Sequence, residues 1–329
     1  MKRAPGLFLL LFLLFLCSPA AFAQESIQEI LTDTLRSFSF DRPSPMIVSI
    51  GNFTYADRPI GSRFSRYLEE NVSAVLIRSE AFELFARDRL EEILQTLELS
   101  LSDLFDQSSA PQAGKLKAIE GLFSGRFFDE ATEVRVFLEL VDIESGTVLR
   151  KASFVIPKSA IPVSVSVLPE NYNDALFVIE ELAEVQNADN REFIVKAWAP
   201  RGNGGVYRDG ERLEIRFYAN RDCFIKLYHI DVNRNMKLIF PNRFCQSNWI
   251  QGRKLYRIPD SSDPFTFELT SPYGTEFIKV IASTTQFDDI EESFQQLGSA
   301  SVDLVSRGLS VKARDEQVTE ALISYTIIE

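Results

Sequence analysis

Apolar residues recur at two different periods along this chain, and the change of period divides it. From 212 to 242 the sequence reads RLEIRFYANRDCFIKLYHIDVNRNMKLIFPN. Leu213, Ile215 and Phe217 fall on one side of a strand, Cys223, Ile225 and Leu227 on one side of the next, and Met236, Leu238 and Phe240 on one side of a third. A period of two, broken by turn formers at 220–222 and 231–235, predicts antiparallel strands with one buried face. Strands over 193–198, 265–269, 277–282 and 322–328 extend the pattern. Only 288–297 is expected to be helical, with Phe287, Ile290, Phe294 and Leu297 as its stripe. Short strands with Gly and Pro turns predict a sandwich.

The first half follows another rhythm. Ile27, Ile30, Leu31 and Leu35 lie at helical spacing, and 46–55 (MIVSIGNFTY) is a nearly continuous apolar strand suited to the middle of a sheet. A helix opening at 59–62 gathers Phe64, Leu68, Val72, Val75 and Leu76 on one face, leaving Arg63, Arg66, Glu69 and Glu70 mostly outside. A short strand at 82–85 precedes a helix with Asp88 as cap, Glu91 as its capping-box partner and a stripe of Leu90, Ile93, Leu94, Leu97 and Leu101. A Gly-punctuated strand at 119–128 and a hairpin pairing 134–140 with 148–156 complete the unit.

The expected fold is therefore mixed α+β. An N-terminal α/β domain with a mixed sheet and flanking helices (24–157) is followed by a linker with a short helix (158–190). An antiparallel β-sandwich-like domain (191–329) ends the chain.

Residues 1–23 carry two positive charges, an apolar run from Leu7 to Cys17 and small residues ending at Ala23, the pattern of a secretory signal cleaved after Ala23. Modification of Cys17 as a lipid anchor is the competing reading, against which stands the bulky Leu16. Periplasmic localisation is expected, with outer-membrane association as an option and no transmembrane segment in the mature chain. The formal charge of -12 becomes -14 once Lys2 and Arg3 leave with the signal. So acidic a chain repels nucleic acid and anionic lipid, which excludes nucleic-acid binding as an expectation.

Chemically capable residues are present, but not in constellations. His229 is the only histidine, which leaves no multi-histidine metal site; as a general base it would need a nucleophile, and as an inward strand residue it needs only a hydrogen bond. The acid pairs Glu91-Glu92, Asp288-Asp289 and Glu291-Glu292 read as solvated helix faces unless a cleft fixes two carboxylates at a set separation. The run from Asp231 begins like a calcium loop and then places Met236 where Gly is needed and Asn242 where a bidentate Glu is needed. The glycines at 202, 204 and 205 lack the Lys-Ser/Thr ending of a phosphate loop, and Gly121 and Gly125 lack the strand–GxGxxG–helix context. No catalytic residue, cofactor or metal is expected. Cys223 and Cys245 fall near one another if the hairpin centres on 232–234, which puts a disulfide stapling the hairpin end among the options in an oxidising compartment, beside two free thiols.

Phe85-Ala-Arg-Asp-Arg-Leu-Glu-Glu-Ile-Leu94, with the strand end at 51–53 and the strands at 116–127 and 135–148, resembles CsgG-like and FlgO-like bacterial envelope domains over 45–157. Arg87 and Leu90 are the motif residues. The second half is similar to the DUF4384 domain over about 195–285, through Tyr207–Glu211, Ala219–Phe224, Tyr228–Asp231 and, above all, Leu238–Asn242 with Phe240, Pro241 and Asn242 as the mark. These resemblances imply structural motif residues and no established enzyme activity. The function expected is a non-catalytic binding or assembly role in the envelope, with protein partners, self-assembly among the options, and a flagellar or outer-membrane structure as the setting. Two alternatives stand beside it. One is a carboxylate-based hydrolase in which Asp222 or Asp231 meets an acid of the first domain; the other is a lipid-anchored subunit of a CsgG-like channel.

Overall fold

The computed structural model describes residues 26–87, 89–90, 119–186, 192–287, 300–301 and 318–329. The signal pattern with Cys17, the Asp88/Glu91 capping box and the 288–297 helix lie outside the described residues.

Helix α1 (Ile27–Arg36) starts where Ser26 and Glu29 form a reciprocal capping box, each satisfying a backbone N–H of the other's residue. Strand β1 (Met46–Tyr55) leads into α2 (Arg63–Leu76) and the short β2 (Phe82–Leu84). Strands β3 (Gly121–Asp129), β4 (Glu133–Asp142) and β5 (Val148–Pro157) follow. The sheet order is β2-β1-β3-β4-β5. Strand β1 runs parallel to β2 and β3, and the last three strands are antiparallel, so the sheet is mixed, as the two rhythms of the first half imply. The stripes of α1 and α2 pack into one core with Val48, Ile50, Phe53, Phe123, Phe127 and the alternating Val134, Val136, Leu138 and Leu140. Glu69 departs from expectation: it is buried with this stripe, not exposed.

The second unit begins with helix α3 (Tyr172–Gln186), then β6 (Val195–Trp198), β7 (Gly205–Arg208), β8 (Arg212–Leu213) and β9 (Ile215–Ala219). Next come β10 (Cys223–Ile230), β11 (Asn235–Phe240), β12 (Trp249–Ile250), β13 (Leu255–Ile258) and β14 (Phe267–Glu268). Strands β15 (Gly274–Ser283), β16 (Ala300–Ser301) and β17 (Val318–Ile328) close the chain. A larger sheet ordered β16-β11-β10-β15-β17-β7, with β12 on β10, faces a three-stranded sheet ordered β13-β9-β6. Between them lie Phe193, Ile215, Phe217, Ile225, Leu227, Ile278, Val280, Ile323 and Tyr325, the interior of a sandwich.

The three runs from 212 to 242 are divided differently from the pattern's simplest reading. The first splits at Glu214, so β8 pairs with β14 while β9 joins the smaller sheet, opposite β10. In the third, a register shift between Leu227 and Tyr228 turns the end of β11 over. Met236 and Leu238 therefore lie on the helix-covered face and Phe240 in the sandwich interior. One extra residue in a strand of period two is enough to reverse its facing.

Helix α3 is not an exposed connector. Ala175, Val178, Ile179 and Leu182 form a third cluster with Tyr228, Ile230, Met236, Phe277 and Ile281 of the larger sheet and with Ile60 of the first unit. Asn171, just before the helix, donates to the carbonyls of Val232 (3.2 Å) and Thr275 (2.8 Å) and accepts from the Thr275 N–H (2.8 Å).

Candidate functional site

The polar junction between the two units is built from Arg87 outward. Arg87 follows β2, at the carboxyl end of the parallel strands, and its side chain is only 14% exposed. Nη1 lies 2.8 Å from Glu69 Oε1 and donates to the Gly51 carbonyl (3.3 Å); Nη2 donates to Asn52 Oδ1 (2.7 Å). The β1–β3 register shifts between Ile50 and Phe53, so Gly51 and Asn52 fall in an irregularity of the ladder, where a backbone carbonyl is free to accept from a side chain. Asn52 then spends its Nδ2 on the second unit, donating to the carbonyls of Arg201 (2.7 Å) and Asn203 (3.2 Å).

The 201–205 loop is held from both sides. Asn203 Oδ1 accepts from the Ser324 N–H (3.2 Å), and the Gly204 N–H donates to the Ser324 carbonyl (3.0 Å). Thr326 Oγ1 donates to the Gly61 carbonyl (3.2 Å). Gly204 sits at φ +75, and a Cβ on Gly61 would come within 2.5 Å of Val206 Cγ2 and 2.7 Å of the Gly204 carbonyl. These glycines serve backbone approach between the units, not phosphate binding.

A small crevice of about 200 Å³ opens beside Arg87, lined by Ile50, Arg66, Glu69, Ser73, Leu84 and Phe85. Its charges are matched within the wall. Arg66 reaches Glu69 (3.3 Å) and Glu70 (3.2 Å) while Arg87 holds the other oxygen of Glu69. Paired in this way, the groups hold α2 against the carboxyl ends of β1 and β2.

The remaining candidates are also engaged. His229 Nε2 lies 2.8 Å from Glu276 Oε2, which also accepts from Tyr325 Oη (3.0 Å). Burial, then the charge of Glu276, pushes the Tyr325 hydroxyl well above the ordinary range of a tyrosine. Asp222 accepts from the Gly252 N–H (2.8 Å), and Asp231 Oδ1 accepts from the N–H groups of Asn233 and Asn235 (both 2.9 Å). Both carboxylates named for a hydrolytic cleft are thus spent on turns, and the calcium-like run is an Asx turn. Among the described residues no cluster of His, Cys, Asp and Glu could hold a metal ion, and no described helix is long and apolar enough to cross a membrane.

The motif residues resolve into structural parts. Leu90 and Phe240 are buried, and Pro241 follows a cis peptide bond. Asn242 ties its own loop, donating from Nδ2 to the Ile239 carbonyl (3.0 Å) and accepting at Oδ1 from the Phe244 (2.9 Å) and Cys245 (3.0 Å) N–H groups. Of the two options for Cys223 and Cys245, this structure has the free thiols. The ladder of β10 and β11 ends at Leu227–Phe240, and Cys223 instead faces Ile250 of β12. Asn242 has turned the chain away before it reaches the level of Cys223. Burial pushes the Cys223 thiol up to about 12.

Three features are absent from the sequence pattern: at the junction, the burial of Glu69 and the link from Asn52 to 201–203, and within the second unit, the contacts of Glu276 with His229 and Tyr325. Only the first left a signal, an acid at the edge of the α2 stripe beside Leu68.

Residues 206–286 match a family model, the Domain of unknown function (DUF4384). No curated protein matches the chain. Among solved structures, the LpoB C-terminal domain from Escherichia coli is 13% identical, with 39% of this chain and 96% of that one covered and a TM-score of 0.33. Lipoprotein GNA1162 from Neisseria meningitidis is 12% identical over 44% of this chain and 98% of that one, TM-score 0.28. TolB from Acinetobacter baumannii is 12% identical over 74% of this chain and 56% of that one, TM-score 0.24. None of the three superposes at a score that fixes a shared fold, and none is a CsgG-like or FlgO-like protein.

Proposed function

We propose that this chain is an exported envelope protein that works by binding and assembly and not by catalysis. The observation that carries the reading is the fate of Arg87. A guanidinium at the carboxyl end of parallel strands stands where α/β sheets usually meet their ligands. Here it is committed to Glu69, Gly51 and Asn52 and, through Asn52, to the second unit. The junction joins two binding units into one body. Export and a periplasmic location rest on the amino-terminal signal pattern, and the envelope setting on the resemblance of 45–157 to CsgG-like and FlgO-like domains and of the second half to DUF4384. A flagellar or outer-membrane structure is the finer setting that this resemblance suggests, with self-assembly as one form of the role.

Cross-linking of cells expressing the protein at native level, followed by purification of the adducts, tests the reading. Discrete adducts in the envelope fraction are expected, and a chain that stays monomeric and without adducts refutes it. Mass analysis of the purified mature chain separates the two forms of export, Gln24 as first residue for a free protein and a lipidated Cys17 for an anchored one.

A further inference from the structure

The order β2-β1-β3 gives β1 a parallel neighbour on each flank, and the carboxyl ends of parallel strands are where α/β sheets commonly meet ligands. A cleft of about 390 Å³ lies there. Its walls are Thr54 of β1, the loop after it (Ala56 to Pro59), Ser124 to Arg126 of β3, Glu139 of β4, and Asn203 of the second unit. We propose that this cleft binds a ligand through a carboxylate, with Arg126 and Arg58 as the cationic donors.

The geometry favours exchange of an acid at Arg126. Its guanidinium lies 5.5 Å from the centroid of the Phe137 ring, and its Nη1 donates to Asp57 Oδ1. Nε is shielded from solvent and has no acceptor among the described residues, and Asp57 accepts from Nη1 alone. The Asp57 side chain is 74% exposed. An ion pair so open to water contributes little, and an incoming carboxylate displaces it at little cost while gaining a planar, charge-assisted contact. Arg58 is held as loosely, by Glu180 across 3.5 Å with both side chains largely exposed. The other acid of the cleft, Glu139, is neutralised by Lys151. Ser124 and Thr54 line the cleft beside the arginines as neutral polar groups.

The loop that carries Asp57 and Arg58 is set in advance. Ala56 holds φ +51, a left-handed conformation unusual for alanine, and its N–H donates to the Phe127 carbonyl (2.8 Å). The volume suits a small ligand or a short segment of one. Two sources carry the same group: the free carboxyl terminus of a short peptide, and an acidic sugar.

Calorimetric titration of the full chain at low salt tests the site with three probes: an N-acetylated tripeptide with a free carboxyl terminus, the same tripeptide amidated, and glucuronate. Saturable binding of the free-acid peptide or of glucuronate is expected, and which one binds identifies the source. The amide binds at least roughly ten-fold more weakly, Arg126→Gln weakens binding roughly ten-fold, and Asp57→Asn tightens it by removing the internal competitor. Circular dichroism confirms the fold of Arg126→Gln, and the exposed Asp57→Asn gives a second, fold-neutral reading. The proposal is overturned if neither acid binds the parent and Asp57→Asn up to about 10 mM, if the amide binds as well as the acid, or if Arg126→Gln binds as the parent does. Titration of the purified chain needs no envelope partner, so its failure leaves the assembly reading standing.

Discussion

Arg87→Met removes the centre of the junction while keeping most of the side chain's bulk. Glu69, with a side chain 6% exposed, then loses the guanidinium at 2.8 Å and keeps only Arg66 at 3.3 Å. Removing one partner of a buried pair costs about 3–5 kcal/mol. Arg66 still compensates Glu69, so the lower end, about 3 kcal/mol, is expected for the first unit. Asn52 loses its charged donor as well, and with it the orientation that sends Nδ2 to the Arg201 and Asn203 carbonyls. Two readouts follow. Urea unfolding by far-UV circular dichroism reports stability, and hydrogen exchange of the 201–204 amides reports the link between units. A cycle with Glu69→Gln isolates the pair, and the double variant is expected to cost at least about 1 kcal/mol less than the sum of the singles. Costs that add within about 0.5 kcal/mol, with exchange at 201–204 unchanged, would refute the junction as drawn.

Three further outcomes follow from single residues. Gly61→Ala drives a Cβ to within 2.5 Å of Val206 and 2.7 Å of the Gly204 backbone; a loss of about 1–3 kcal/mol is expected, with faster exchange over 201–208, and an unchanged melt and exchange pattern would count against so close an approach. Without reductant, the unfolded mature chain should titrate two thiols. In the folded chain Cys245 should react first, because a Cys223 thiol held at about 12 is roughly one part in 10⁴ thiolate at pH 8; one disulfide and no free thiol would overturn the free pair. Burial raises the Tyr228 hydroxyl to about 12, and burial, with the charge of Glu276, raises that of Tyr325 well above the ordinary range. The unfolded chain loses these protons near pH 10 while the folded chain keeps them, so their contribution is complete below pH ~10 and lost as pH rises toward the folded values. Tyrosinate absorbance should show these two titrating only together with unfolding, and their ionisation in a folded chain would contradict the burial.

Local patterns were legible where an element's surroundings agree with its own period. Strand β1 and helix α2 carry their buried faces on the surface of the sequence, because an unbroken apolar run and a stripe at i, i+3, i+4 and i+7 each have one economical way to be covered. The alternation of Val134, Val136, Leu138 and Leu140 fixed the facing of β4 in the same way. The candidate site was legible only in part. Arg87 stood out as a motif residue, but its partners lie at Glu69 and Asn52 and, beyond them, at 201–203, and no local period records such distances along the chain.

What the sequence determined by itself was the pair of rhythms, and with them the mixed sheet of the first unit and the strand-rich second. Tertiary structure decided which face each short strand presents and which distant groups meet. A single irregularity turned Phe240 away from Met236 and Leu238, and β7 became a strand only by lying parallel to β17, more than a hundred residues later. Glu69 became a buried acid only because Arg87 arrived beside it. The physical reason is common to all three. Periodicity reports the average environment of a segment, whereas register, ion pairing and the approach of two backbones depend on contacts whose partners are remote in the chain.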